Sequence, residues 1–365
     1  MRKNEKQLFF ELCKFQNPDI KKIEELIAKG AATPEVLGHL FYNRMEGIAY
    51  GVLLKNKLLG GINREFRNSL KNSNLQNKQK NDSFLKCIEQ LNEILGKSKV
   101  RYALLKGAYL CNWYPQGYRT SNDVDILLNA KDITKLSHHL IEHGFKQGNI
   151  KNDEFIPATR EEIIGSKMMR GETVPYIKEV NLPLMKFFEV DLNYSISYKN
   201  EKDSIVEEFV LNAEEIILKN QKIVTLDKYD FVIHLCEHLY KEATTYPWVE
   251  MKRDMTLYKF CDIYALLYSY TKKDYKNLQK RVKTLEREIS CYYAIAIMKR
   301  LFSVNDIKLE DFLKEIKTKV QDVLSIVINP QDKKIYQYKD TDIMERFFAK
   351  NRKNLLKEVQ INEKT

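Results

Sequence analysis

The hydrophobic period of this chain changes at Val100, and that change limits what the chain can fold into. The first hundred residues read as helix. From Val100 two short apolar runs, VRYALL and DVDILL, have strand character, and they frame the segment YALLKGAYLCNWYPQGYRTSNDVDILL from Tyr102 to Leu128. The first run ends in Lys106-Gly107. A short helix is expected over AYLCNWY, stopped by Pro115, and the turn PQGY leads to the second strand. Side chains alternate across a strand. Asp123 and Asp125 therefore share one face, opposite Val124 and Ile126.

A second alternating run, KFFEVDLNYSI, sets Glu189, Asp191 and Asn193 against Phe188, Val190, Leu192, Tyr194 and Ile196. If the two strands are neighbours in one sheet, Asp123, Asp125 and Asp191 converge at one edge. Burying three carboxylates without a counter-charge costs several kcal/mol. A divalent cation removes that cost, and hard oxygen ligands suit Mg²⁺ or Mn²⁺. Other parts of the same segment suit an anion. Gly107 lets the backbone approach a ligand closely, and the helix that follows offers unpaired N–H groups to phosphate oxygens. Arg119 is a forked phosphate donor. Ser121 either adds a hydroxyl contact or caps the turn. Lys106 either sits on a triphosphate as a point charge or flanks the strand.

Around this segment the text is helical. IKKIEELIAKG forms a helix begun by Pro18-Asp19 and stopped at Gly30. A long helix is expected from Thr33-Pro34 through Leu59, broken by Gly60-Gly61, and another over 62–95. The polar stretch 71–82 is expected to be mobile. Asp132 to His143 is amphipathic and ends at Gly144, residues 145–196 are turn-rich and β-like, and helical periodicity runs from Leu226 to the end. The resulting fold class is α+β. Three regions are expected: a helical one over 1–97, a core with a small mixed sheet over 98–225, and a helical domain over 226–365.

The net charge of +11 attracts nucleotides, nucleic acid or acidic surfaces. Most of the lysine excess is diffuse. The one concentrated run, Lys350 to Lys357, also suits an amphipathic helix, so charge alone does not define a nucleic-acid binder. Six scattered cysteines form no C-x-x-C pair, which fits a reducing cytoplasm better than a disulfide framework or a zinc site. The charged start MRKNEKQLFFELCKF is not expected to be a secretory signal, and no stretch reaches the about 18 apolar residues of a spanning helix. His234 and His238 stand four apart on one helical face, a spacing that can bind metal, but apolar neighbours favour packing. Asp262 reads as a buried anchor, and Trp248 as a loop aromatic.

L-K-G-A followed by R-T-S-N-D-V-D-I-L-L resembles the nucleotidyltransferase (polymerase-β-like) superfamily. More narrowly it is similar to the bacterial uncharacterised nucleotidyltransferases with a K-G-G/A turn before R-x-S-x-D-h-D (h, apolar), and to the toxin halves of abortive-infection systems. The resemblance is specific over residues 100–128 and extends weakly from Asp191 to the helical HLCEHLY and KFCDIYALL. It implies Mg²⁺-dependent transfer of a nucleoside monophosphate from a nucleoside triphosphate such as ATP to an acceptor hydroxyl, with pyrophosphate leaving. The acceptor class is a small molecule, a protein or an RNA, with no membrane partner. Asp123, Asp125 and Asp191 are then the catalytic and metal-binding carboxylates, with Asp191 either a metal ligand or the base. Lys106, Gly107, Ala108, Arg119 and Ser121 are the nucleotide-binding residues. Alanine at Asp123 or Asp125 is expected to abolish activity with little loss of stability. Two departures stand out: Gly107-Ala108 replaces the usual Gly-Ser or Gly-Gly, and Asn193 stands where relatives often carry histidine. A non-catalytic nucleotide-binding scaffold or sensor of the same fold is the alternative.

Overall fold

The computed structural model describes residues 1–169, 171–196, 203–317, 323–339 and 342–360. Its internal contacts divide it into two compact units, one made of Met1–Arg67 with Val232–Thr365 and the other of Asn68–Phe231. The organisation is α+β with a mixed sheet, as the sequence leads one to expect. The division differs from three consecutive regions, because most of the long helix beginning near residue 64 packs on the central sheet.

The first unit opens with four helices: α1 (Lys3–Cys13), α2 (Ile20–Ala28), α3 (Pro34–Tyr42) and α4 (Glu46–Lys55). Asp19 caps α2 by accepting the Lys22 N–H at 3.1 Å, and Thr33 caps α3 by accepting that of Val36 at 3.4 Å. The single helix expected from Thr33 to Leu59 is thus two. The break comes at Asn43, whose buried side chain bonds main chain on both sides. Its Nδ2 donates to the His39 carbonyl at 2.9 Å, and its Oδ1 accepts the Leu257 N–H at 3.0 Å. Such bonds compete with helix continuation, and Arg44 turns the chain with φ +56°.

The second unit begins in α5 (Arg64–Ser98), 35 residues long. The stretch 71–82 is therefore helix, against the expectation of mobility. Much of it is exposed, but Asn74 and Asn81 within it are buried and make contacts. There follow β1 (Tyr102–Leu104), α6 (Gly107–Trp113), β2 (Asp123–Leu128), α7 (Ile133–Glu142), β3 (Lys146–Lys151), β4 (Glu154–Pro157), α8 (Arg160–Met169), β5 (Tyr176–Leu182), β6 (Met185–Asn193), α9 (Asp203–Leu211), β7 (Glu214–Leu218), β8 (Gln221–Thr225) and α10 (Lys228–Ala243). The sheet has eight strands in the order β4-β3-β5-β6-β2-β1-β8-β7. It is larger than expected because hairpins extend both sides. Asn152-Asp153 and Lys219-Asn220, all with positive φ, close the two outer hairpins, the conformation that two-residue hairpin turns require. The β-like stretch 145–196 also contains α8. A capping box starts that helix: Thr159 Oγ1 accepts the Glu162 N–H at 3.2 Å, and Glu162 accepts the Thr159 N–H at 2.8 Å.

The core of this unit gathers Val124, Ile126, Val190 and Leu192 from β2 and β6 with Phe84, Ile88 and Leu91 of α5 and Leu136 and Leu140 of α7. Each such side chain contributes roughly 2 kcal/mol on burial. The apolar face of the alternation is covered by helices, which leaves the opposite face for the acids.

The rest of the first unit comprises α11 (Tyr246–Glu250), α12 (Leu257–Leu267), α13 (Lys272–Thr284), α14 (Glu288–Leu301), α15 (Ile307–Glu315), β9 (Ile326–Ile328), β10 (Ile335–Tyr338), α16 (Ile343–Phe348) and β11 (Leu356–Val359). Trp248 thus lies in a short helix, not a loop. The helical text does not run to the end either, since β9, β10 and β11 form an antiparallel sheet. The basic run Lys350 to Lys357 is no amphipathic helix: Arg352–Leu355 form one 3₁₀ turn, β11 begins at Leu356, and Arg352 is buried in an ion pair with Asp254 at 2.7 Å. Among the described residues no helix is long and apolar enough to cross a membrane. All six cysteines are free and buried.

Candidate active site

The site is built where β1 turns into α6, beside β2 and β6. Pairing of β1 continues one residue past the strand, with the Leu105 N–H donating to the Asp125 carbonyl at 2.9 Å. The chain then reverses at Lys106, with φ +40° and ψ −111°. A side chain at positive φ is strained, and such strain persists only where the surroundings impose it. Here the turn directs the Lys106 ammonium onto Asp125, with Nζ 2.9 Å from Oδ1.

Gly107 opens α6 and is required by close approach. A Cβ there would lie 2.4 Å from Ser121 Oγ and 2.6 Å from Ser121 Cβ. This contact joins the two halves of the sequence motif, the Lys-Gly turn and the Arg-x-Ser loop. Gly107→Ala should destabilise the protein by about 1–3 kcal/mol by overpacking, and Ser121→Gly in the same chain should restore most of it. Urea unfolding of the two single variants and the double variant measures this coupling. Strictly additive losses would rule the contact out. The expected row of free N–H groups at the start of α6 is curtailed: the helix has seven residues, and the Ala108 N–H donates to the Leu105 carbonyl at 3.2 Å.

Strands β2 and β6 run parallel in the middle of the sheet, not at its edge. Asp123 is the register partner of Glu189, Asp125 of Asp191, and Leu127 of Asn193. Two rungs of facing carboxylates result. Asp125 is 7% exposed, and its Oδ1 also accepts from Asn193 Nδ2 at 3.3 Å. Asp123 Oδ1 accepts from Ser121 Oγ at 2.8 Å. Sequence alternation displayed Glu189, but its pairing with Asp123 was not legible. Glu172, the antiparallel bridge partner of Asn193, carried no signal at all.

The electrostatics follow from this crowding. Burial, and then the charges of Asp125, Asp123 and Glu172, push the Asp191 carboxyl well above its ordinary range, while Lys106 partly offsets them. Glu189 is raised by burial and by Asp123. Burial presses the Lys106 ammonium down, but Asp125 outweighs it with Asp123 and Asp191, so its proton is held more tightly than usual.

Three carboxylates around Lys106, those of Asp125, Asp123 and Asp191, suit a hard divalent cation in charge and donor type. Among the described residues, however, no group of three or more His, Cys, Asp or Glu side chains is arranged to hold a metal ion. Asp125 and Asp123 each give an oxygen to a protein donor instead. Arg119 lies on the loop before β2, its guanidinium donating to the Thr120 carbonyl and its own carbonyl accepting from Asn81 Nδ2 at 2.8 Å. His234, His238 and Asp262 belong to the other unit. The two imidazoles stack with ring centres 6.4 Å apart, and His238 contacts Glu242 at 3.3 Å. Asp262 is buried within α12.

Acids on neighbouring parallel strands thus stand beside a Lys-Gly turn that touches the Arg-x-Ser loop. The family described as uncharacterised nucleotidyltransferase matches residues 32–303, and the chain belongs to that family. No curated protein matches it.

Proposed function

We propose that this protein is a divalent-cation-dependent nucleotidyltransferase that moves a nucleoside monophosphate from a nucleoside triphosphate to an acceptor hydroxyl. The observation that carries this reading is the register of β2 on β6, which sets Asp125 beside Asp191, with Lys106 bonded to Asp125. A Mg²⁺ or Mn²⁺ ion held by Asp123, Asp125 and Asp191 would neutralise phosphate charge and acidify the acceptor hydroxyl.

The chain's own groups account for the remaining requirements. Arg119, Ser121 and the turn at Lys106, Gly107 and Ala108 hold the triphosphate, and Lys106 exchanges Asp125 for a phosphate oxygen as the ligand enters. The acceptor oxygen forms a bond to the α-phosphorus while the bond from that phosphorus to the bridging oxygen breaks, and pyrophosphate leaves. Asp191 is either the third oxygen ligand or the acceptor of the hydroxyl proton. Phosphoryl-type transfer depends mainly on positioning and charge stabilisation, which this set of residues supplies.

The acceptor is a small molecule, a protein or an RNA carrying a free hydroxyl. Incubation with each α-labelled nucleoside triphosphate, Mg²⁺ and a cell extract should transfer label to one acceptor class and release pyrophosphate. Binding without turnover would define a nucleotide sensor instead. No binding at millimolar triphosphate with Mg²⁺ present would remove the basis of the proposal.

A further inference from the structure

The loop over 115–122 brings Arg119 and Ser121 to the site without helix or strand of its own. Its main chain is held by α5 instead. Asn81 is 2% exposed and uses both ends of its amide. Oδ1 accepts the Gly117 N–H at 2.9 Å, and Nδ2 donates to the Arg119 carbonyl at 2.8 Å. Asn74 and Asn77 reach the Gly117 carbonyl at 3.4 and 3.3 Å. Gln116 donates to Asp82 at 2.5 Å. Gly117 has φ +88°, and a Cβ on it would lie 2.8 Å from Asn74 Nδ2, so the turn lies directly against the helix.

We propose that Asn81 is a positioning residue for the nucleotide. By fixing the Gly117 amide and the Arg119 carbonyl, it sets where the Arg119 guanidinium and the Ser121 hydroxyl stand relative to the Gly107 turn. This rests on the reading that Arg119 and Ser121 hold the triphosphate. Two bonds to a buried amide permit one orientation, and removing them takes away the anchors of the loop main chain at Gly117 and Arg119. The clamp is rigidly based, because Phe84 and Ile88, on the same helix, are packed in the core beneath β2. Asn81 acts through the loop, so its loss weakens triphosphate binding in ground state and transition state alike.

The test compares Asn81→Ala with Asn92→Ala. Asn92 makes the same kind of bond from the same helix, to the Lys222 carbonyl at 2.7 Å in the β7–β8 hairpin. Calorimetry with a non-hydrolysable nucleoside triphosphate and Mg²⁺ gives the affinity. Asn81→Ala should weaken it about tenfold and raise KM with kcat little changed, while Asn92→Ala leaves it at the wild-type value. Should the alanine variant not fold, Asn81→Asp, which can accept from Gly117 but cannot donate to Arg119, makes the same comparison. Wild-type affinity in the Asn81 variants, or an equal loss in Asn92→Ala, overturns the positioning role. A wild-type protein that binds no triphosphate overturns the nucleotidyltransferase reading itself, and the positioning role with it.

Discussion

Asp125→Asn should lower nucleotidyl transfer by about 10³-fold while the protein melts within a few degrees of wild type. The substitution keeps the shape of the side chain and an oxygen for Lys106 and Asn193, which bond Asp125 Oδ1 at 2.9 and 3.3 Å. It removes the charge that faces Asp191 across the β2–β6 rung. Losing about 4 kcal/mol of charge stabilisation at the reacting phosphorus is a factor of about 10³. Asparagine is the informative replacement because alanine confounds two effects. Asp125 is buried, so alanine would leave the Lys106 ammonium without its partner and cost stability as well. The expectation from sequence that alanine spares the fold treated both acids as exposed. It holds better for Asp123, which is half-buried and bonded by Ser121. Single-turnover rates and thermal melts of Asp125→Asn and Asp123→Asn separate catalysis from folding. Transfer at near wild-type rate in both variants would place the chemistry elsewhere.

Local pattern carried much of this site. The runs at 123–128 and 186–196 gave both strands and the shared face of Asp123 and Asp125, because alternation is a property of the backbone itself. What pattern could not give was pairing. Residues 123 and 189 meet as register partners in parallel strands, and nothing in either run names its neighbour. The burial of Asp125 follows from that pairing, and so was hidden with it. Polarity misled in two places for the same reason. The asparagines of 74–81 and the buried Arg352 read as solvated, yet each satisfies groups that a fold brings from far along the chain. The break at Asn43 was hidden likewise, since the amide that it bonds belongs to Leu257. The β7–β8 hairpin lay in a stretch too short and mixed for either period to dominate.

Lys106→Met should make the protein's stability depend on divalent cation. Methionine keeps a long apolar stem and a side chain at the strained turn, so the backbone cost at φ +40° stays the same. Only the ammonium is lost from beside Asp125, Asp123 and Asp191. Removing one partner of a largely buried pair costs about 3 kcal/mol. The pH dependence has a definite sign. The Asp191 carboxyl is raised in the folded state by burial and by its acidic neighbours. Its favourable contribution is therefore full below the unfolded value near about 3.9 and is lost as pH rises through the higher folded value. Without Lys106 that folded value rises further. The variant's deficit should be larger at about pH 8 than at about pH 5, because Asp191 takes up its proton as pH falls. Mg²⁺ should close the gap at neutral pH, since a cation at 100 times its dissociation constant contributes about 2.7 kcal/mol. The gain should be larger in the variant than in wild type, where the ammonium competes for Asp125. Urea unfolding with and without Mg²⁺ across that pH range measures all three. If Mg²⁺ stabilises both proteins equally, or neither, the carboxylates on β2 and β6 do not share a divalent ion with Lys106 as its stand-in.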